Sequence, residues 1–411
     1  MQRRLDINYC KYYLKIPTSI SIVNKMSINA YNSKAQVLAD FIDKYRNLPK
    51  QGSAEWIKGR EASFGGSELA ALIGKNKNKT CRKLLEEKVS PVKFEGNSFT
   101  LWGQLFEPVH RAILEQLFNA DIHETGSIPW VKEGFKYSPD GIGVVKRDTL
   151  LRVLKEGGIT HLIAGKIVKS IEEDAPEFME FINGLGDDML ILFEQKAPAN
   201  RIPTYSIPEY YVPQILSGLN VIDISDFGFY TEACFKRCSL ADLHLHSNAY
   251  NECFGFSKHT YLTLPKYTGV VILSTKNNKL AHDIKLSYFR NGYTSDMYID
   301  YGDASKETFF NILQQWKDTG DINLHYSYGD GEAFYETFES ITETIIGVIP
   351  WKLFDMQNHI VYKKDSYLES YHPAIMVGID TIKRCKECKF YDDIKKIIDE
   401  GVINISNCLP K

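Results

Sequence analysis

No apolar run in the sequence approaches the roughly twenty residues needed to cross a bilayer. The first residues carry neither the apolar segment nor the small-residue cleavage site of a secretory leader. An intracellular protein without a membrane partner is therefore expected. Cysteine is scarce, with eight in 411 residues (Cys10, Cys81, Cys234, Cys238, Cys253, Cys385, Cys388 and Cys408). That excludes a disulfide framework as the basis of the fold and makes reduced thiols the default. Cys385-x-x-Cys388 has a metal-like spacing, and no second such pair accompanies it. Charge of one sign is missing too: the net charge of −3 does not by itself call for a polyanion partner. The first fifty residues are nonetheless basic, with Arg3, Arg4, Lys11, Lys15, Lys25, Lys34, Lys44, Arg46 and Lys50 against Asp6, Asp40 and Asp43. This fits either a nucleic-acid footprint or a solvated surface.

What is present is ordinary for a folded globule: 44% hydrophobic, 25% charged and 12% aromatic residues. The length suits one large domain or two smaller ones. Apolar spacing predicts helices over Ser33 to Tyr45, Thr80 to Lys88, Leu101 to Phe118, Glu307 to Trp316, Ala333 to Ile346 and Tyr391 to Asp399. Ser206-Ile-Pro-Glu209 has capping-box spacing and predicts a helix carrying Tyr210, Tyr211, Gln214 and Leu219, with Pro213 leaving its start open. Strands are expected at Ser127 to Val131 and Phe135 to Ser138, joined by Lys132-Glu133-Gly134, and at Ile191 to Lys196, Phe227 to Phe235 and Val270 to Ser274.

Several stretches carry chemistry. Ile191-Leu-Phe-Glu194-Gln195-Lys196 reads as a buried strand whose end places a carboxylate and an ammonium on one face, since side chains two apart point the same way. A solvated edge pair would look the same. In Trp56-Ile-Lys-Gly-Arg60 the two named residues share a helix face. The turn Gly65-Gly66-Ser67-Glu68 that follows is suited to an anion: glycine admits close approach, Ser67 adds a hydroxyl and Arg60 can grip a phosphate with two donors. A tight turn with Arg60 paired to Glu55 or Glu61 is the simpler reading. Glu107 lies beside the apolar stripe of its helix and is followed by Pro108, which removes a backbone hydrogen bond. Ser138-Pro-Asp140-Gly places Asp140 at a strand end, or in a plain turn.

Together Glu107, Asp140, Glu194, Lys196 and Gln214 are the groups that metal-dependent phosphodiester hydrolysis uses, because hard carboxylate oxygens suit Mg²⁺ or Mn²⁺. Their order resembles the PD-(D/E)xK nuclease superfamily. The longer series is similar to the YqaJ and lambda-type exonuclease family: Trp56-x-x-x-Arg60, Gly65-Gly-Ser-Glu68, Trp102-Gly-x-x-x-Glu107-Pro, Ser138-Pro-Asp-Gly, Phe193-Glu-x-Lys196-x-Pro and Tyr210-Tyr-x-Pro-Gln214. Tyr210-Tyr-Val-Pro-Gln-Ile-Leu-Ser-Gly-Leu219 most resembles the lambda-like exonucleases of large cytoplasmic DNA viruses, African swine fever virus among them.

The resemblance covers about 51 to 238 and weakly Gly347 to Phe354. It implies an α/β (α+β) fold with a PD-(D/E)xK restriction-endonuclease-like core, a central mixed β-sheet flanked by helices. It implies ligation of Mg²⁺ or Mn²⁺, two ions in number, by Glu107, Asp140, Glu194 and the Gln195 carbonyl. Lys196 and Gln214 would act on the attacking water, while Arg60, Ser67, Gly66 and Trp56 would hold a terminal 5′-phosphate. The expected organisation is an N-terminal extension (1–34), a nuclease core (35–275) with an insertion (146–188), and a C-terminal extension (276–411). The implied activity is 5′ to 3′ degradation of double-stranded DNA for viral recombination, repair or replication, in the host cytoplasm or viral factory. A single-strand annealing protein is the implied partner. The long span between Asp140 and Glu194 leaves monomer and trimer both open. Alternative readings are a structure-specific or Cas4-like endonuclease using Cys385 and Cys388, or a catalytically dead DNA-binding recombination module.

Overall fold

A computed structural model describes residues 33–49, 53–61, 63–90, 97–155, 160–163, 166–168, 171–240, 268–290, 299–302, 304–328 and 331–410. The basic segment 1–32 with Cys10, the glycine break at 157–158, and Cys253 lie outside the described residues.

Helices open where the sequence supplies a side-chain acceptor. Ser33 and Ser53 accept from the backbone three residues on, starting α1 (Lys34–Tyr45) and α2 (Ala54–Arg60). After β1 (Phe64–Gly65) and α3 (Gly66–Leu72), Thr80 caps α4 (Cys81–Val89), and Asn97 accepts from two N–H groups to open α5 (Ser98–Phe118). Pro108 lies inside α5, where the Tyr326 and Tyr328 hydroxyls donate to the Leu105 and Pro108 carbonyls at 3.3 Å. Asn119, in the left-handed region (φ 45°), ends the helix.

Next come β2 (Ile122–His123), β3 (Ile128–Pro129), β4 (Phe135–Tyr137) and β5 (Gly141–Lys146). The hairpin expected across Lys132-Glu133-Gly134 is formed by β3 and β4, with Gly134 at φ +90°. Between β5 and β8 (Asp188–Lys196) lie α6 (Arg147–Lys155), β6 (Thr160–Ile163), β7 (Lys166–Ile167), α7 (Ile171–Asp174) and α8 (Pro176–Leu185). Then follow α9 (Val212–Val221), β9 (Phe227–Arg237), β10 (Thr268–Thr275), α10 (Asn278–Arg290), β11 (Ile299–Asp300), α11 (Lys306–Thr319), β12 (Ile322–Tyr328), α12 (Gly331–Ser340), β13 (Thr344–Tyr362), α13 (Tyr367–Glu387) and α14 (Tyr391–Asn407).

A mixed sheet runs in the order β12-β10-β13-β9-β8-β5-β2, antiparallel at every step except β8 with β9, while β6 and β11 pair with β13. A separate small sheet runs β1-β4-β3. Alternation along β8 splits the core in two. Ile191 and Phe193 pack on the α5 side, whereas Leu190 and Leu192 pack on the side of α3, α9 and α13. The architecture is the expected mixed α/β core flanked by helices.

Three elements differ from expectation. The helix foreseen at Ala333 to Ile346 ends at Ser340, and the chain becomes β13 at Thr344. Helix and strand cannot be told apart in a short apolar run, and Pro350 argues against a central strand. Pairing on both edges decides for a strand, and the Pro350 carbonyl accepts from Cys238 N (3.1 Å) just where β9 ends. The helix expected from Ser206 starts only at Val212, with Pro213 in its first turn, so Tyr210 and Tyr211 precede it. Helix α13 was not foreseen because Pro373 and Gly378 interrupt its pattern; a Cβ on Gly378 would lie 2.8 Å from the Phe64 ring. Its last turn holds Cys385, whose thiol donates to the Ile394 carbonyl, while Cys388 donates to Phe390.

His359 and His161 are buried where β6 meets β13, and burial pushes each imidazole down to about 4. Between pH 4 and 6.5 the unfolded chain binds protons that the folded chain refuses, so these groups stabilise above pH 6.5 and that contribution is lost as pH falls. Relative to His359→Gln, the parent protein should lose about 1 kcal/mol per pH unit below 6.5. Denaturant melts from pH 7 to 4.5 would measure it; parallel curves for the two proteins would exclude the effect.

Candidate active site

Asp140 does not close the hairpin strand as its motif suggested. Strand β4 ends at Tyr137, Ser138-Pro139-Asp140 crosses from the small sheet to the large one, and β5 begins at Gly141. A Cβ on Gly141 would stand 2.1 Å from Ile122 Cγ2, so only glycine lets β5 start against β2 there. The crossing sets the Asp140 carboxylate over the end of β8, where it accepts the Gln195 backbone N–H (2.8 Å) and the Lys196 ammonium (3.3 Å).

Glu194 is fully buried, and both of its oxygens are met. One accepts from the Lys196 ammonium and from Gln214 Nε2 on α9; the other accepts from the Tyr137 hydroxyl. The late start of α9 makes this possible, because it leaves Gln214 in the first turn and Tyr211 beside the Lys196 ammonium, 5.3 Å from ring centre to Nζ. Tyr137 lies in a slot between two glycines: a Cβ on Gly66 would approach its ring to 2.6 Å, and one on Gly218 to 2.4 Å. Burial, and then the charges of Glu194 and Asp140, hold the phenol well above its usual range, so it stays a neutral donor.

Glu107 reaches the same place from the other face of the sheet. It projects from α5, half-buried, with Arg111 at 3.9 Å, and Arg111 is itself paired with Glu124. Burial first and the Asp140 charge second push the Glu107 carboxyl up to about 7; the same two causes push Glu194 up to about 7, against the pull of Lys196. Burial alone would lower Lys196, but Asp140 and Glu194 outweigh it and raise the ammonium above its normal range. Asp140 and Glu194 thus share Lys196 as a cation, and its charge also reaches Glu107. Among the described residues no three His, Cys, Asp or Glu side chains close tightly enough to chelate an ion as they stand. The ammonium of Lys196 instead lies between Asp140 and Glu194.

The other arm is built on Arg60. Its guanidinium lies 4.6 Å over the Trp56 ring and pairs at 2.8 Å with Glu68, not with Glu55 or Glu61. The Trp56 indole N–H is 3.5 Å from Ser138 Oγ, linking this arm to the segment that carries Asp140. Both arms open into one cleft of about 680 Å³, lined by Trp56, Arg60, Gly66, Ser67, Glu107, Asp140, Gln195, Lys196 and Gln214, with Glu194 beneath it. All ten residues singled out from the sequence are therefore at the cleft. Tyr137, Glu68 and Lys88 were missed. Tyr137 does directly precede Ser138-Pro-Asp140, and Glu68 closes the Gly-Gly-Ser turn. Lys88 gives no signal, lying as it does on an ordinary amphipathic helix.

The sequence pattern of the YqaJ-like viral recombinase domain matches residues 55–225. A curated protein of African swine fever virus, from a Malawi tick isolate, is 28% identical over 343 residues, covering 82% of this chain and 86% of the relative. The counterpart from the Badajoz strain is 28% identical over 346 residues with the same shares. An alkaline exonuclease of Laribacter hongkongensis aligns with 44% of this chain and 73% of its own at 16% identity, with a TM-score of 0.28. That overlap is too small to transfer a fold or a residue role.

Tyr137→Phe strips one donor from a fully buried carboxyl and should cost about 1–3 kcal/mol of stability. Gly218→Ala should cost a similar amount, about 1–3 kcal/mol, by overpacking the ring. Urea unfolding measures both, and an unshifted midpoint for Tyr137→Phe would rule out its bond to Glu194.

Proposed function

We propose, from the match of residues 55–225 to the pattern of the YqaJ-like viral recombinase domain, that this protein is a metal-dependent exonuclease. It degrades double-stranded DNA from 5′-phosphorylated ends and leaves a 3′ single strand for an annealing protein. The observation that carries the proposal is the meeting of three carboxyl groups with Lys196 and Gln214 at one cleft that also presents Arg60 and Ser67.

The donor set suits a divalent cation in kind and in charge. Glu107, Asp140 and Glu194 are hard oxygen donors; Glu107 and Glu194 are driven toward protonation by burial and by the Asp140 charge, and Lys196 pairs with Asp140 and Glu194. Those three side chains and the Gln195 carbonyl would hold Mg²⁺ or Mn²⁺, as one ion or two. When bound, the metal supplies charge neutralisation at the phosphate and a more acidic water. The rest falls to the chain. Lys196 and Gln214 orient the water that attacks phosphorus; the P–O3′ bond breaks, and the leaving 3′ oxygen takes a proton. Arg60 and Ser67 hold the terminal phosphate, which fixes the distance to the first internal phosphodiester and hence release of one nucleotide at a time. The Trp56 ring beneath Arg60 keeps that guanidinium in place.

On end-labelled duplex DNA with Mg²⁺, Asp140→Asn or Lys196→Met should reduce nucleotide release by at least about 10³-fold while the duplex is still bound. An active Asp140→Asn enzyme would sink the site. Removing divalent ions with EDTA should stop release and Mn²⁺ should restore it; undiminished activity in EDTA would eliminate the metal. Arg60→Ala should abolish the preference for 5′-phosphorylated over 5′-hydroxyl ends, and an unchanged ratio would remove that residue from the end grip.

A further inference from the structure

Glu68 is shared. Its Oε1 pairs with Arg60 at 2.8 Å, and its Oε2 takes the Gly65 N–H (2.8 Å) and the Lys88 ammonium (3.0 Å). Lys88 is 8% exposed and does not line the cleft; it also donates to the carbonyls of Arg60 (2.7 Å) and Ser63 (2.8 Å). The nearby cation Lys79 is engaged by Glu87 at 2.5 Å. A buried ammonium is costly, and one tied to two carbonyls and a carboxylate behind a turn has a purpose that packing alone does not supply.

The charge count suggests that purpose. Arg60 and Glu68 alone sum to zero, so a phosphate entering the cleft would meet a guanidinium already neutralised by its partner. With Lys88 the three sum to +1, and the surplus faces the cleft, because Arg60 is the member that lines it. Burial, the largest cause, leaves Lys88 below its usual range although the Glu68 carboxylate opposes it, and Glu68 is itself held low by Arg60 and Lys88 against burial.

We propose that Lys88 is a positioning residue for the end grip. By meeting the Glu68 charge from within the protein, it leaves the Arg60 guanidinium positive toward a phosphate monoester, and it ties down the carbonyls that flank the turn. This rests on the reading of Arg60 as the phosphate-holding residue.

The test measures binding of the full chain to duplexes with 5′-phosphate or 5′-hydroxyl ends, by fluorescence anisotropy in EDTA, so that no hydrolysis intervenes. Lys88→Met should lose about tenfold of the preference for phosphate. Lys88→Met/Glu68→Gln, which removes one charge of each sign, should regain it, and Glu68→Gln alone should keep it. A purely structural role for Lys88 would not be rescued by removing a second partner. Full preference in folded Lys88→Met, or no recovery in the double variant, overturns the proposal. So does a loss in Glu68→Gln as large as in Lys88→Met, which would mean that the carboxylate only aims Arg60. If Lys88→Met does not fold by circular dichroism, the double and Glu68→Gln variants decide, both being expected to match the parent. Arg60→Ala separates the two readings: an unchanged preference there removes the grip itself, whereas its loss with Lys88→Met unaffected removes only Lys88.

Discussion

A carboxyl group with no exposure to water has to find its partners inside the protein, and Glu194 is that group. The cost of burying it unpaired is several kcal/mol, so the elements around it are arranged to deliver donors. Lys196 comes from the same strand two residues on, Gln214 from the first turn of α9, and Tyr137 from the last residue of β4. Each depends on a backbone detail. Helix α9 carries Gln214 in its first turn, and Gly66 and Gly218 must lack side chains for the Tyr137 ring to pass between them.

The same economy recurs elsewhere at the cleft. Glu68 is also a nearly buried carboxylate satisfied from three directions, with Arg60 facing the cleft and Lys88 facing the core. The two clusters differ in sign. Around Glu194 the carboxyl groups outnumber the cations, which suits a site that attracts positive charge; around Glu68 the cations outnumber the carboxylate, which suits one that attracts negative charge. A carboxyl-rich cluster and a cation-rich cluster thus border one cleft. The 3.5 Å approach of the Trp56 indole to Ser138 links α2 to the segment that carries Asp140.

The sheet sets the faces from which these groups arrive. Along β8, Glu194 and Lys196 point to the side of α3 and α9 and Gln195 to the side of α5, so Glu107 and Glu194 approach the strand end from opposite faces. Asp140 joins them at the edge by crossing between sheets. Strand β13, 19 residues long, pairs with β9, β10, β6 and β11. It thereby draws the last quarter of the chain into the sheet that supports the site.

Local features could be read from the order of residues alone. Serine and threonine caps opened α1, α2 and α4 where the pattern placed them, because a cap needs only a side chain and the three N–H groups that follow, whereas Asn97 opens α5 three residues before the expected Leu101. The ordered motifs from Trp56 to Gln214 identified ten residues that meet at one cleft, since each motif couples a chemical group to a turn or strand end that presents it. Long-range pairing settled the rest. That Thr344 to Tyr362 is a strand depends on the edges of β10 and β9, supplied by residues from 69 to 135 positions away. That Asp140 opens β5 instead of closing β4 depends on which sheet each segment joins. Tyr137, Glu68 and Lys88 became visible only through their partners, because a buried donor is defined by the acceptor it meets, and those acceptors lie up to 57 positions along the chain.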